Sequence, residues 1–145
     1  MGFLPRLYRQ GFRGRIIGTA PTLAIAGIIL KDSAKIHEEE AQKAAEENYS
    51  KHNPVLPFYT IAEAESTVSL FQVEEEDKWV SFSEEISYRF QYNGHVIGAT
   101  FIELDINEKR FVFSGDVGRV NDYLLEAPKK PAWADYLFVE STYGH

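Results

Sequence analysis

Apolar residues recur along this chain with two different periods, and the switch comes near Trp79. Upstream the period is helical. Leu23, Gly27, Leu30, Ala34, His37, Ala41 and Ala44 return every three or four residues, one continuous stripe that predicts a long helix from Thr19 or Thr22 to about Tyr49. Its first half is apolar all round, which predicts burial, and its second half, with Glu38-Glu39-Glu40 and Glu46-Glu47, is expected at the surface. Before it, Gly2 to Gln10 reads as the end of a short helix stopped by Gly11, and Arg15 to Thr19 as a short strand. After it, Asn53-Pro54-Val55-Leu56-Pro57 is a loop, because each proline disfavours helix in the residue before it. Thr60 and Glu63 have the spacing of a capping box, opening a helix to about Val73 that the acidic turn Glu74 to Asp77 ends.

From Trp79 onward the period is two. Trp79–Phe82, Glu85–Tyr92, Ala99–Ile106, Arg110–Ser114 and Tyr136–Glu140 are rich in aromatic and β-branched residues and read as strands. Asn107-Glu108 is a hairpin turn candidate, and Pro128 to Pro131 a loop. There is no internal repeat. Helices followed by a strand meander predict an α/β chain, with helices packed on one face of a mixed sheet.

Composition narrows the class. With 145 residues the chain is one domain's worth, enough to bury roughly 68–70% of its unfolded surface. An apolar content of 44% argues against disorder. Cysteine is absent, which excludes disulfides and thiolate ligands and suits a reducing compartment. The apolar run Leu23 to Leu30 is too short to span a membrane, and no signal-like core follows the N-terminal arginines, so a cytoplasmic, membrane-free protein is expected. The net charge of −7 is uneven: Arg6, Arg9, Arg13 and Arg15 give the first 15 residues +4, and the remainder carries −11. Such a patch attracts phosphates locally, yet it also fits an ordinary solvated helix face. No residue is singled out for nucleic-acid binding.

Candidate chemistry sits at three strand ends. His95 lies in Gly94-His95-Val96-Ile97-Gly98-Ala99, where glycines let the backbone turn and point the imidazole across the sheet edge. Asp116 lies in Ser114-Gly115-Asp116-Val117-Gly118-Arg119; a carboxylate there is suited to bridging two cations, or to closing a turn on its own backbone. Glu140 closes the buried-looking run Tyr136-Leu137-Phe138-Val139 and opens Ser141-Thr142-Tyr143-Gly144, so it is paired or solvated. His37, His52 and His145 are expected not to be ligands, with His145 otherwise unassigned.

In this order the three signatures resemble the nucleic-acid-processing branch of the metallo-β-lactamase superfamily, known as β-CASP, which holds ribonuclease J-like and pre-mRNA 3′-end endonuclease-like enzymes. Gly2-Phe3-Leu4-Pro5-Arg6-Leu7, Lys31 to Ile36 and the loop around Asp122 and Pro128 carry the likeness over nearly the whole chain. The resemblance implies an αββα fold and a site of two Zn²⁺ ions, with His95 and Asp116 as metal ligands, Asp116 bridging the ions, and Glu140 assisting proton transfer by positioning a histidine from beyond the metallo-β-lactamase segment. It further implies zinc-activated attack of water on an RNA phosphodiester, endo- or exonucleolytic, with RNA the partner of the complete protein.

The family's His-x-His-x-Asp-His motif is not present in the sequence, and neither are the later histidines of the β-CASP domain. Residues 1–145 are therefore expected to be a partial metallo-β-lactamase domain that binds zinc weakly or not at all, is inactive alone, and self-associates through an unpaired sheet edge. The alternatives are a metallo-β-lactamase-fold hydrolase of small molecules, which the Glu140 to Gly144 segment disfavours, and a non-catalytic interaction module.

Overall fold

The computed structural model describes residues 1–142; Tyr143, Gly144 and His145 lie outside the described residues. In chain order the elements are α1 (Leu4–Arg9), β1 (Ile16–Gly18), α2 (Ala20–Glu46), α3 (Ile61–Val68), β2 (Phe71–Val73), β3 (Val80–Ser81), β4 (Ile86–Tyr92), β5 (Thr100–Ile106), β6 (Lys109–Phe113) and β7 (Tyr136–Phe138). The mixture of helices and a mixed sheet is an α/β chain. It falls into two compact units, the first formed by residues 1–17 and 23–72, the second, among the described residues, by residues 18–22 and 73–142.

The first unit is built on α2. Its stripe buries Leu23, Ala26, Gly27, Leu30, Ala34 and Ala44, and Leu30 and Ala34 meet Tyr59 and Ala64 in a small core with Ile61 and Phe71 against it. The expectation that the first half of α2 is buried all round fails. Ile25, Ile28 and Ile29 are exposed, Ile28 at 70%, because one helix face suffices for the core and the opposite face carries these isoleucines. The helix also stops at Glu46 rather than Tyr49, and Asn48 takes a positive φ of 53°, a left-handed conformation that asparagine tolerates. The capping box forms as its spacing predicts: Thr60 Oγ1 accepts from the Glu63 amide (3.2 Å) and Glu63 Oε2 accepts from the Thr60 amide (2.8 Å). The α3 helix ends at Val68, five residues before the predicted stop. The Ser69 hydroxyl donates to the Ser66 carbonyl (2.7 Å), closing the last turn, and Phe71–Val73 becomes the strand β2 that pairs with β1.

The second unit holds a five-stranded sheet in the order β3-β4-β5-β6-β7. The pairs β3–β4, β4–β5 and β5–β6 are antiparallel, and β7 joins β6 in parallel. The β5–β6 hairpin turns at Asn107-Glu108, with positive φ at both (49° and 64°), as a two-residue turn of this hand requires. Tyr88, Phe90, Phe101 and Val112 are buried on it.

A fully buried carboxylate, Glu103, sits among them. Arg89 Nε donates to its Oε2 at 2.7 Å, and Arg110 approaches its Oε1 at 3.7 Å while pairing with Asp105 at 2.7 Å. The Arg110 guanidinium lies 4.6 Å from the ring centres of both Trp79 and Trp133, and Arg89 lies 4.8 Å from Trp79, so aromatic faces cover the ion cluster.

The run Tyr136–Val139 is not buried: all four residues are exposed on both faces of the edge strand. Parallel pairing with β6 stacks Tyr136 on Phe111 and Phe138 on Phe113, each pair 4.6 Å between ring centres, so these apolar residues pack along the sheet and not under it. No helix among the described residues is long and apolar enough to cross a membrane.

Candidate metal and acid-base site

Strand direction brings the three signatures together. Because β4 and β6 are each antiparallel to β5, and β7 is parallel to β6, the C-terminal ends of β4, β6 and β7 lie at one end of the sheet. His95, Asp116 and Glu140 follow those three ends. All three line a single cavity of about 620 Å³, with Arg119, Asp122 and Thr142 also on its wall.

His95 Nε2 and Asp116 Oδ2 face each other at 3.8 Å, both substantially exposed. Zinc bonds N and O donors at about 2.0–2.2 Å, so two ligands of one ion lie at most about 4.4 Å apart. The pair therefore fits a shared ion in spacing and in donor chemistry. Among the described residues no group of three or more histidine or acidic side chains is gathered closely enough to hold a metal by itself. The described residues thus offer a facing pair of donors where a zinc shell takes three or four protein ligands.

Glu140 is placed differently. Its Oε1 accepts from the Val117 amide at 2.7 Å, next to Asp116, and its own amide donates to Ser114 Oγ at 3.1 Å. The Thr142 hydroxyl and the Val117 amide hold its carboxyl below the ordinary glutamate range, with His95 adding a smaller attraction. Glu140 is thus an ionised group tied to the Asp116 loop. Asp122 turns inward on its own loop: Oδ1 accepts from the Leu124 (2.8 Å) and Leu125 (3.0 Å) amides, and those bonds lower its pKa.

The strand ends are rigidly built. Gly94 has φ +72°, and a Cβ there would crowd the Glu126 carbonyl. The Thr19 and Thr22 hydroxyls both donate to the Gly98 carbonyl, at 2.7 and 2.8 Å, anchoring the far end of the His95 loop.

The residue that sequence reasoning missed is Asn93, 3% exposed. Its Nδ2 donates to the carbonyls of Ser114 (3.1 Å) and Asp116 (3.0 Å), and its Oδ1 accepts from the His95 amide at 3.2 Å. The only signal in the sequence is an amide side chain between a strand and Gly-His, which reads equally as a turn residue.

The other histidines and the basic cluster have structural surroundings. His37 meets Tyr59 and Phe58 edge-on, 5.0 and 5.8 Å between ring centres; His52 is exposed in a loop; His145 lies outside the described residues. Arg6 donates to the Phe58 carbonyl, Arg9 pairs with Glu63, Arg13 donates to the Tyr8 and Phe12 carbonyls and covers the Tyr8 ring at 3.8 Å, and Arg15 reaches Gln72. The N-terminal arginines therefore pin α1 and its neighbours.

No family model matches the chain. Among curated proteins it is similar to ribonuclease TTHA0252 of Thermus thermophilus, 28% identical over 144 residues, covering 99% of this chain and 29% of that protein. It is similar to endoribonuclease YSH1 of Kluyveromyces lactis, 29% identical over 142 residues, with 95% and 17% covered. It is also similar to cleavage and polyadenylation specificity factor subunit 3 of Dictyostelium discoideum, 28% identical over 145 residues, with 92% and 16% covered. The chain spans less than a third of the length of these relatives. Three strand-end signatures thus converge on one cavity, in a chain that is similar over nearly its whole length to proteins named ribonuclease, endoribonuclease and cleavage factor, in keeping with the resemblance its sequence signatures bear to the β-CASP branch.

Proposed function

We propose that this chain is the scaffold-and-site segment of a zinc-dependent RNA phosphodiester hydrolase, arranged as part of an αββα metallo-β-lactamase fold. The observation that carries this reading is the 3.8 Å approach of His95 Nε2 to Asp116 Oδ2 in a cavity that Glu140 also lines. His95 and Asp116 would hold the metal. When bound, zinc supplies Lewis acidity at neutral pH, lowering the pKa of water to about 7 and neutralising charge on a phosphoryl group. The chain's own residues do the rest. The exposed rim of the cavity admits a phosphodiester, Asp116 keeps a negative donor beside His95, and Glu140 stays ionised to orient a proton-carrying group near the leaving oxygen.

Two donors do not complete a zinc shell, so the 145-residue chain alone binds zinc weakly and does not hydrolyse RNA. RNA is the substrate class that the named nuclease relatives support. The test is a chimera in which this chain replaces the matched 144-residue segment of the Thermus thermophilus ribonuclease. Zinc-dependent RNA hydrolysis, lost in His95→Ala and in Asp116→Ala, is the expected result. A folded chimera that binds zinc but leaves RNA intact would contradict it and favour a non-catalytic module.

A further inference from the structure

Two loops must keep a fixed separation if His95 and Asp116 are to serve one ion, and the His95 loop and the Asp116 loop belong to different strands. Side-chain packing does not set that separation, since both donors are exposed. The ties between the loops lie beneath the donors, and backbone contact is one of them. Gly118 donates its amide to the Asn93 carbonyl at 2.9 Å, and a Cβ at position 118 would fall on the Gly94 carbonyl, so the two loops touch main chain to main chain.

We infer that Asn93 is a positioning residue that clamps the two metal-donor loops together and so sets the His95–Asp116 spacing; this rests on the zinc reading given above. Among the described residues, the Asn93 amide is the one buried side chain that bonds to both loops. Its two N–H groups are taken by carbonyls flanking Gly115, at Ser114 and Asp116, and its oxygen by the amide of His95 itself. Two carbonyl acceptors on one side and one N–H donor on the other also fix which way the amide points. Its main chain adds a tie to the Asp116 loop through Gly118 and closes the His95 loop on itself by donating to the Ala99 carbonyl at 3.2 Å. The Nδ2 group and the main-chain carbonyl of Asn93 thereby reach across to the Asp116 loop, while its Oδ1 and main-chain amide brace the His95 loop itself. Such a residue acts on the metal only through its ligands, as buried hydrogen-bond partners of ligand-bearing segments do.

Asn93→Asp tests this with almost no change of shape. The carboxylate still accepts from the His95 amide but opposes the two carbonyls it formerly donated to. Zinc alone is titrated by calorimetry into the full 145-residue chain, the Asn93→Asp variant, and Val112→Ala as a comparator that loosens the buried sheet without touching the loops. Amide hydrogen exchange at His95 and Gly118 is recorded in parallel without metal. The expected result is an affinity about 10–100-fold lower in Asn93→Asp, retained affinity in Val112→Ala, and lost protection at Gly118 although that amide bonds the Asn93 main chain and not its side chain. Unchanged affinity, or a loss no greater than that of Val112→Ala, overturns the inference. If wild-type binding is indifferent to His95→Ala, the zinc reading fails; where binding is indifferent or absent, the clamp is judged by exchange alone, and protection retained at Gly118 in Asn93→Asp overturns it.

Discussion

Glu103 and Asp116 are two carboxylates on one sheet, and their surroundings are opposite. Glu103 is fully buried, held by Arg89, approached by Arg110 and roofed by Trp79 and Trp133. Asp116 is exposed, has a histidine as its facing group at 3.8 Å, and rests on a buried amide that bonds only its main chain. One carboxylate is consumed by structure. The other is presented by structure and left open to a ligand. What separates them is the end of the strand: within the ladder a charge must be matched side chain to side chain, whereas past the last residue the backbone carries the placement and the side chain stays available.

The comparison is broken most severely at Glu103. Glu103→Ala leaves guanidinium groups facing an empty buried site, with an expected loss of about 3 kcal/mol and a fall in Tm of roughly 10 °C by thermal unfolding. A loss under about 0.5 kcal/mol would show that the cluster is screened like a surface pair. Gly118→Ala comes next. Its added methyl has nowhere to go against the Gly94 carbonyl, so about 2 kcal/mol of stability and the His95 loop's exchange protection should both be lost. A smaller effect is expected at Asp116 itself: Asp116→Ala should change stability by no more than about 0.5 kcal/mol while removing zinc binding.

The smallest effect is a titration. Because Thr142 and Val117 stabilise the charged form of Glu140, its pKa in the folded chain lies below that of an unfolded glutamate. Its contribution is then complete above the unfolded value and fades as pH falls through the folded one. Carbon-detected NMR should follow the Glu140 carboxyl titrating below the ordinary range, and Thr142→Val should raise it; a normal value in the unmodified chain would mean that the strand-end ties are not formed.

Much of this was legible in the chain because local chemistry decided it. The Thr60–Glu63 cap, the Asn107-Glu108 turn and the identity of the five late strands follow from residue type and spacing, as do His95, Asp116 and Glu140 at strand ends. What was not legible depends on partners distant in sequence. Phe71–Val73 carries on an apolar run from α3, and only pairing with β1 makes it a strand. Tyr136–Val139 is as apolar as a core strand, but its place at the sheet edge leaves it exposed. Asn93 is an ordinary turn residue until Ser114 and Asp116, more than twenty positions away, supply its acceptors. The four N-terminal arginines suggest a charged patch, yet their bonds to carbonyls, to Gln72 and to Glu63, at mixed distances along the chain, also make them structural ties.

The central claim is that His95 and Asp116 act as a pair toward one metal ion. A zinc titration of the 145-residue chain by calorimetry, beside His95→Ala and Asp116→Ala, addresses it directly. The account predicts weak binding of zinc in the unmodified chain, reduced at least about tenfold by either substitution, with both folds intact. Zinc binding that neither substitution alters would contradict it.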